Sequence, residues 1–212
     1  MTLRVLFLGE GISDSGIVPQ IEDIAARLVI DIYVTDPDLG RLRTPPGRAV
    51  VDKLRAVSGE GVVFDLIVVH RDADRDGRGA RLDEISRAFE PVLPAARYVA
   101  VVPVRMTEAW LLTDEQELRH VAGNPKGKMP LNLPAVSKIE SIPDPKQLLK
   151  DTLGVASGLS GRKLHKFHNR FSQHRKQLLE RLDPAGNVTE VESWKCFVSD
   201  LEAGLMAAAN RA

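Results

Sequence analysis

The chain has 212 residues, 43% of them hydrophobic and 27% charged, a composition that suits a folded globular protein and excludes a disordered, collagen-like or membrane-spanning one. That length fits one α/β domain with an appendage or two small domains, because a single core stops growing beyond roughly 250 residues. Twenty-nine Lys and Arg balance 29 Asp and Glu, so attraction to nucleic acid or membrane must come from local clustering rather than from an overall field.

The N-terminus, MTLRVLFLGEG, carries one basic residue and an apolar run too short for a secretion signal. No stretch approaches the ~18 apolar residues of a membrane span, and a cytoplasmic protein is expected. Leu3 to Leu8 reads as a first strand, Val29 to Val34 as a second, Asp65 to Val69 as a third and Tyr98 to Val104 as a fourth. All are rich in Val and Ile, as strands covered on both faces should be. Between them Ile17, Ile21, Ile24 and Leu28 recur at helical spacing, as do Val50, Leu54 and Val57, and then Leu82, Ile85 and Phe89. This alternation predicts βαβ units and a four-stranded parallel sheet flanked by helices over residues 1–105.

Residues 106–212 read as a helical, partly basic region packed on that sheet. Glu108 to Leu112 is followed by a Pro-, Gly- and Lys-rich connector from Asn124 to Pro134 and a helix opening at Pro145. Two longer helices are predicted, Leu159 to Leu182 and Glu190 to Ala208, separated by the breaker Asp183 to Asn187 (DPAGN). The single cysteine, Cys196, excludes an internal disulfide or a Cys-rich zinc site. Between Ser160 and Arg181 stand Arg162, Lys163, Lys166, Arg170, Arg175, Lys176 and Arg181 against one acid, Glu180. On one helix these form either a solvated face or a surface that neutralises several phosphates. His165 and His168 at i and i+3 suit a metal poorly, since cations flank them.

Two loops carry the chemistry. After the third strand comes His70-Arg71-Asp72-Ala73-Asp74-Arg75-Asp76-Gly77. If extended geometry persists there, Asp72 and Asp74 point the same way just beyond the carboxyl end of a parallel strand, where open α/β sheets place their sites. Two carboxylates about 4 Å apart repel by roughly 1 kcal/mol in water and about 4 at an effective dielectric of 20. A hard divalent metal is the natural counter-cation for such oxygen-only ligands. The same stretch matches the start of a calcium loop, but a strand leads into it, Gly79 stands where an apolar residue would pack, and Asp83 replaces the final glutamate. After the first strand, Gly9-Glu10-Gly11 presents a carboxylate, and Ser13, Asp14 or Ser15 would cap the following helix. Gly9, Gly11 and Gly16 do not have dinucleotide-binding spacing and no P-loop lysine follows. In a parallel sheet both loops leave at one edge, so Glu10 can meet Asp72 and Asp74.

These elements resemble the Toprim family, the catalytic fold of topoisomerases, bacterial primases and OLD-family nucleases, which places a glutamate after the first strand and a DxD pair after the third. More narrowly, EGISD, HRDAD, Arg105 to Leu112 (RMTEAWLL) and Ile142 to Leu149 (IPDPKQLL) resemble the small bacterial proteins grouped as DUF4276, often found beside ATPases in antiviral defence loci. The resemblance implies metal-dependent phosphodiester chemistry, with Glu10, Asp72 and Asp74 catalytic, and Mg²⁺ (or Mn²⁺ in its place) held by them with Asp76. Glu108 either completes the acidic cluster or merely opens a helix, and Arg105, Lys126 and Lys146 are candidate cations near a scissile phosphate. Nucleic acid, DNA before RNA, is the expected partner, with a partner ATPase beside it. The competing expectations are a non-catalytic subunit of such an ATPase and a phosphohydrolase of small nucleotides.

Overall fold

A computed structural model describes residues 1–59, 63–73 and 76–211. Four strands, β1 (Leu3–Leu8), β2 (Ile32–Thr35), β3 (Leu66–His70) and β4 (Tyr98–Val101), form one all-parallel sheet in the order β2-β1-β3-β4. The period of two divides β1, β3 and β4 between two cores. Leu3, Val5, Phe7, Leu66, Val68, Val99 and Val101 face one side, and Leu6, Leu8, Ile67, Val69, Ala100 and Val102 face the other.

The first side is covered by α1 (Val18–Arg27), through Ile21 and Ile24, and by the chain beyond β4. The second side is covered by α2 (Val50–Ser58) and α3 (Arg78–Phe89), through Val50, Leu54, Val57, Ile85 and Phe89. The chain therefore leaves β1 on one face and β3 on the opposite face, which opens a crevice between their carboxyl ends. Two of the predicted strands are shorter than expected. β2 begins only at Ile32, because Val29 takes a left-handed φ of 58° and is 92% exposed. β4 ends at Val101, but Arg71 N–H still donates to Val101 O at 3.1 Å and Ala73 N–H to Pro103 O at 3.2 Å. Those two bonds keep the β3 backbone in register as far as Ala73.

After β4 come α4 (Glu108–Leu111), α5 (Glu115–Val121), α6 (Pro145–Ser157), α7 (Gly161–His168), α8 (Phe171–Glu180) and α9 (Glu192–Ala209). Asp114 and Asp144 cap α5 and α6 by accepting from the backbone N–H of Glu117 and Gln147. Pro145 opens α6, and Gly158, at φ 64°, closes it. Trp110, Trp194 and Phe197 stack together in the core shared with β1 and β3, and Trp110 Nε1 donates to Ser193 Oγ at 2.8 Å. The single helix expected from Leu159 to Leu182 is instead two, α7 and α8, broken at Asn169 and Arg170. The break sends α7 against α6 and lays α8 across the 3₁₀ turn Ile12–Ile17 that follows β1. Gly16 makes that crossing possible: a Cβ there would stand 2.6 Å from Leu179 Cβ and 2.9 Å from Lys176 O. Among the described residues no helix is long and apolar enough to cross a membrane.

Candidate active site

The carboxyl ends of β1, β3 and β4 bring three acids to one edge. Asp72, held extended beyond β3, donates its backbone N–H to Glu10 Oε2 at 3.2 Å and accepts on Oδ1 from the Thr107 backbone N–H at 3.2 Å. Residues from the β1, β3 and β4 loops thus meet at the crevice, across sequence separations of 62 and 35. Two residues before Thr107, Arg105 takes a left-handed φ of 62°, a conformation uncommon for a residue with a Cβ. The two glycines beside Glu10 differ in why they are glycine. Neither has a positive φ. Gly9 is needed because a Cβ there would lie 3.0 Å from Asp14 Cβ and 3.2 Å from the Phe7 ring, whereas Gly11 faces open space.

Glu10 and Asp72 remain partly exposed, at 36% and 17% of their side chains. Each has a protein cation beside it. Arg71 Nη1 lies 3.1 Å from Glu10 Oε1, and Arg71 Nη2 lies 3.3 Å from Glu84. His70, fully buried at the end of β3, lies between two aspartates: Nδ1 is 3.2 Å from Asp14 Oδ2 and Nε2 is 3.3 Å from Asp72 Oδ1. The first contact is a hydrogen bond; the second is an ion pair without hydrogen-bond alignment. Burial works against the charged imidazole, but the bonds and charges of Asp14 and Asp72 outweigh it and raise its pKa to about 10. For Asp14, too, burial opposes ionisation, yet His70, Arg175 and the Gly11 N–H hold its carboxyl far below the usual range.

Glu108 opens α4, and its carboxylate lies near enough to Asp72 to feel that charge. It is 3% exposed, and its Oε2 has no hydrogen-bond partner among the described residues. Burial pushes its carboxyl up; the charges of Arg175 and Lys146 pull against this and that of Asp72 adds to it. Lys146 itself is exposed on the first turn of α6.

Arg175 requires a correction. Expected among the phosphate-facing cations of the basic helix, it is 6% exposed and points inward from α8. Its Nη1 donates to Ser13 Oγ at 2.6 Å and Asp14 Oδ1 at 2.8 Å, its Nη2 donates to Thr107 Oγ1 at 2.5 Å, and its Nε pairs with Glu108 Oε1 at 3.0 Å. Two buried carboxylates, Asp14 and Glu108, offset the desolvation penalty that its buried charge carries. Arg162, Lys163, Lys166 and Arg170 are exposed as expected of a solvated face. Lys176, next to Arg175, lines a cleft beside Glu10. Asp76 is not gathered with Glu10; it pairs with Arg81 at 2.8 Å, and Arg81 donates to Asp72 O at 3.1 Å. Asp74 lies outside the described residues.

Among the described residues no three His, Cys, Asp or Glu side chains stand close enough to hold a metal ion by themselves. Magnesium does not demand that many: it keeps several waters and is bound through one or two carboxylates together with substrate phosphates. The Glu10 and Asp72 oxygens have that hard-donor character, and the orphaned Glu108 Oε2 is a third oxygen seeking a partner. Compared with family models, curated proteins and solved structures, the chain matches none of them.

Proposed function

We propose that this chain is a cytoplasmic, Mg²⁺-dependent nuclease that hydrolyses phosphodiester bonds of nucleic acid, DNA before RNA, at the edge where Glu10 and Asp72 meet. The observation that supports this reading is the bond from Asp72 N–H to Glu10 Oε2, which joins two acidic loops at the switch point of a parallel sheet. Glu10, Asp72 and Asp74 would hold the ion, and Mn²⁺ would substitute for it. When bound, the ion supplies an activated water and stabilises charge on the phosphoryl oxygens. The protein's own groups set the geometry. Arg71 holds Glu10, His70 and the Thr107 N–H hold Asp72, and Arg175 ties Glu108 to the β1 loop. The exposed Arg162, Lys163, Lys166 and Arg170 offer charge to the phosphate backbone without reading sequence.

A second reading, a subunit acting with a partner ATPase in antiviral defence, is favoured by the cation that already accompanies each acid. Purified protein incubated with plasmid and Mg²⁺ or Mn²⁺ tests the first. Metal-dependent nicking lost in Asp72→Asn and Glu10→Gln supports it; nicking equal in wild type and variants defeats it. Co-elution with the ATPase without nicking, alone or in the complex, supports the second as a non-catalytic subunit; nicking that appears only in the complex makes the chain a partner-dependent nuclease.

A further inference from the structure

A cleft of about 410 Å³ opens beside the acidic edge, between the loops that follow β1 and β2. Its size falls within the ~300–1,000 Å³ of small-ligand sites and is far too small for a duplex. Three cations reach it from separate segments: Arg48 ahead of α2, Lys53 on α2 and Lys176 on α8. Lys53 is fixed in place, donating from Nζ to Gly9 O at 2.7 Å and Glu10 O at 3.1 Å. An ammonium has three N–H groups, so one is left for the cleft. The side chain of Arg48 has no ion-pair partner among the described residues, and Lys176 has only a loose 3.8 Å contact with Glu180. Asp36, directly after β2, lines the same cleft near enough to Lys176 to feel its charge, and Glu10 and Asp38 line it too, Asp38 paired with Arg41. Pro45, Pro46 and Leu39 give the cleft an apolar wall.

The lining is neither simply basic nor simply acidic, and that mixture selects the ligand. A bare anion would be repelled by Asp36 and would leave the apolar wall uncovered. A neutral sugar or base would leave the Arg48 guanidinium and the remaining N–H of Lys53 unmatched. A molecule with a phosphate, vicinal hydroxyls and a flat apolar base satisfies all three. A carboxylate following the second strand of a parallel sheet is also well placed to accept from ribose hydroxyls.

We infer that this cleft binds one nucleoside phosphate, with Arg48, Lys53 and Lys176 on the phosphate, Asp36 on the ribose hydroxyls and the proline wall against the base. The ligand is a free mononucleotide or the terminal nucleotide of a single strand. In the second case the strand leads past Glu10, and this placement rests on the nuclease reading, which it extends by making single-stranded ends the preferred substrate.

Calorimetric titration in EDTA separates occupancy from cleavage. AMP, dAMP, adenosine, inorganic phosphate and a 5′-phosphorylated single-stranded oligonucleotide are the probes. AMP is expected to bind at least tenfold more tightly than adenosine or phosphate, and Arg48→Ala with Lys176→Ala is expected to weaken it at least tenfold. Asp36→Asn is expected to remove a preference for AMP over dAMP. Lys53→Met is a weaker test, since Lys53 also braces the β1 loop, and circular dichroism checks that each variant folds. Oligonucleotide binding with AMP binding assigns the strand end; AMP binding alone assigns a free nucleotide. Absence of binding by AMP and oligonucleotide alike, or binding unchanged in the Arg48, Lys176 double variant, overturns the inference. Parallel plasmid nicking tells the two failures apart: AMP binding without wild-type nicking leaves the cleft standing and removes the nuclease, and wild-type nicking without binding of AMP or oligonucleotide does the reverse.

Discussion

His70 Nδ1 lies 3.2 Å from Asp14 Oδ2, joining the buried end of β3 to the 3₁₀ turn after β1. With Asp72 on its other nitrogen the imidazole is held charged, its pKa lifted from 6.5 to about 10. A group whose pKa is raised by folding stabilises fully below its unfolded value and loses that contribution as pH rises through its folded value. In EDTA, urea stability should therefore fall between pH 6.5 and pH 10 with a slope of up to ~1.4 kcal/mol per pH unit. His70→Gln should flatten that slope while being less stable at pH 6. Asp14 behaves oppositely: its depressed carboxyl stabilises above pH 3.8, and its share is lost only on strong acidification. An identical alkaline slope in wild type and His70→Gln would contradict the assignment.

Arg175 couples the C-terminal helices to the acidic edge. Arg175→Met would leave Glu108 a buried carboxylate without its paired cation and Asp14 with His70 alone, at a cost of roughly 3–5 kcal/mol. The expected result is a large drop in urea midpoint with an unchanged m-value. Arg175→Lys should recover only part of it, because an ammonium cannot reproduce the fork that reaches Ser13, Asp14 and Thr107 together.

Two glycines of the same turn should respond differently to alanine. Gly16→Ala would force α8 away from the turn, since the new Cβ meets Leu179 Cβ at 2.6 Å, and overpacking of this kind costs roughly 1–3 kcal/mol. Gly11→Ala meets nothing within 4 Å and should stay within about 0.5 kcal/mol of wild type. Thermal melts of the two variants, compared directly, check the contrast.

The parallel sheet is legible in the sequence because its strands are apolar on both faces and the helices between them carry regular stripes. Val29 was beyond that pattern, since an apolar residue in a left-handed turn looks like the start of a strand. The extended run through Asp72 and its meeting with Glu10 follow from strand periodicity and sheet parallelism alone. Arg175 was not legible as a buried residue: its acids lie at positions 14 and 108, and nothing within its own helix distinguishes it from exposed neighbours. His70 carried a readable signal, a polar residue closing an otherwise apolar strand two positions before Asp72, where the strand period puts both on one side. The break at Asn169 and Arg170 depends on α8 docking over Gly16, a tertiary contact that local propensity does not encode.

The central claim is that Glu10 and Asp72 hold a hard divalent cation between them. Crystals soaked in Mn²⁺, with data collected at the manganese absorption edge, measure this directly. The account predicts an anomalous peak within bonding distance of a Glu10 and an Asp72 carboxylate oxygen, absent in Asp72→Asn. Soaks at saturating Mn²⁺ with no peak at this edge, or a peak that persists undiminished in Asp72→Asn, would contradict it.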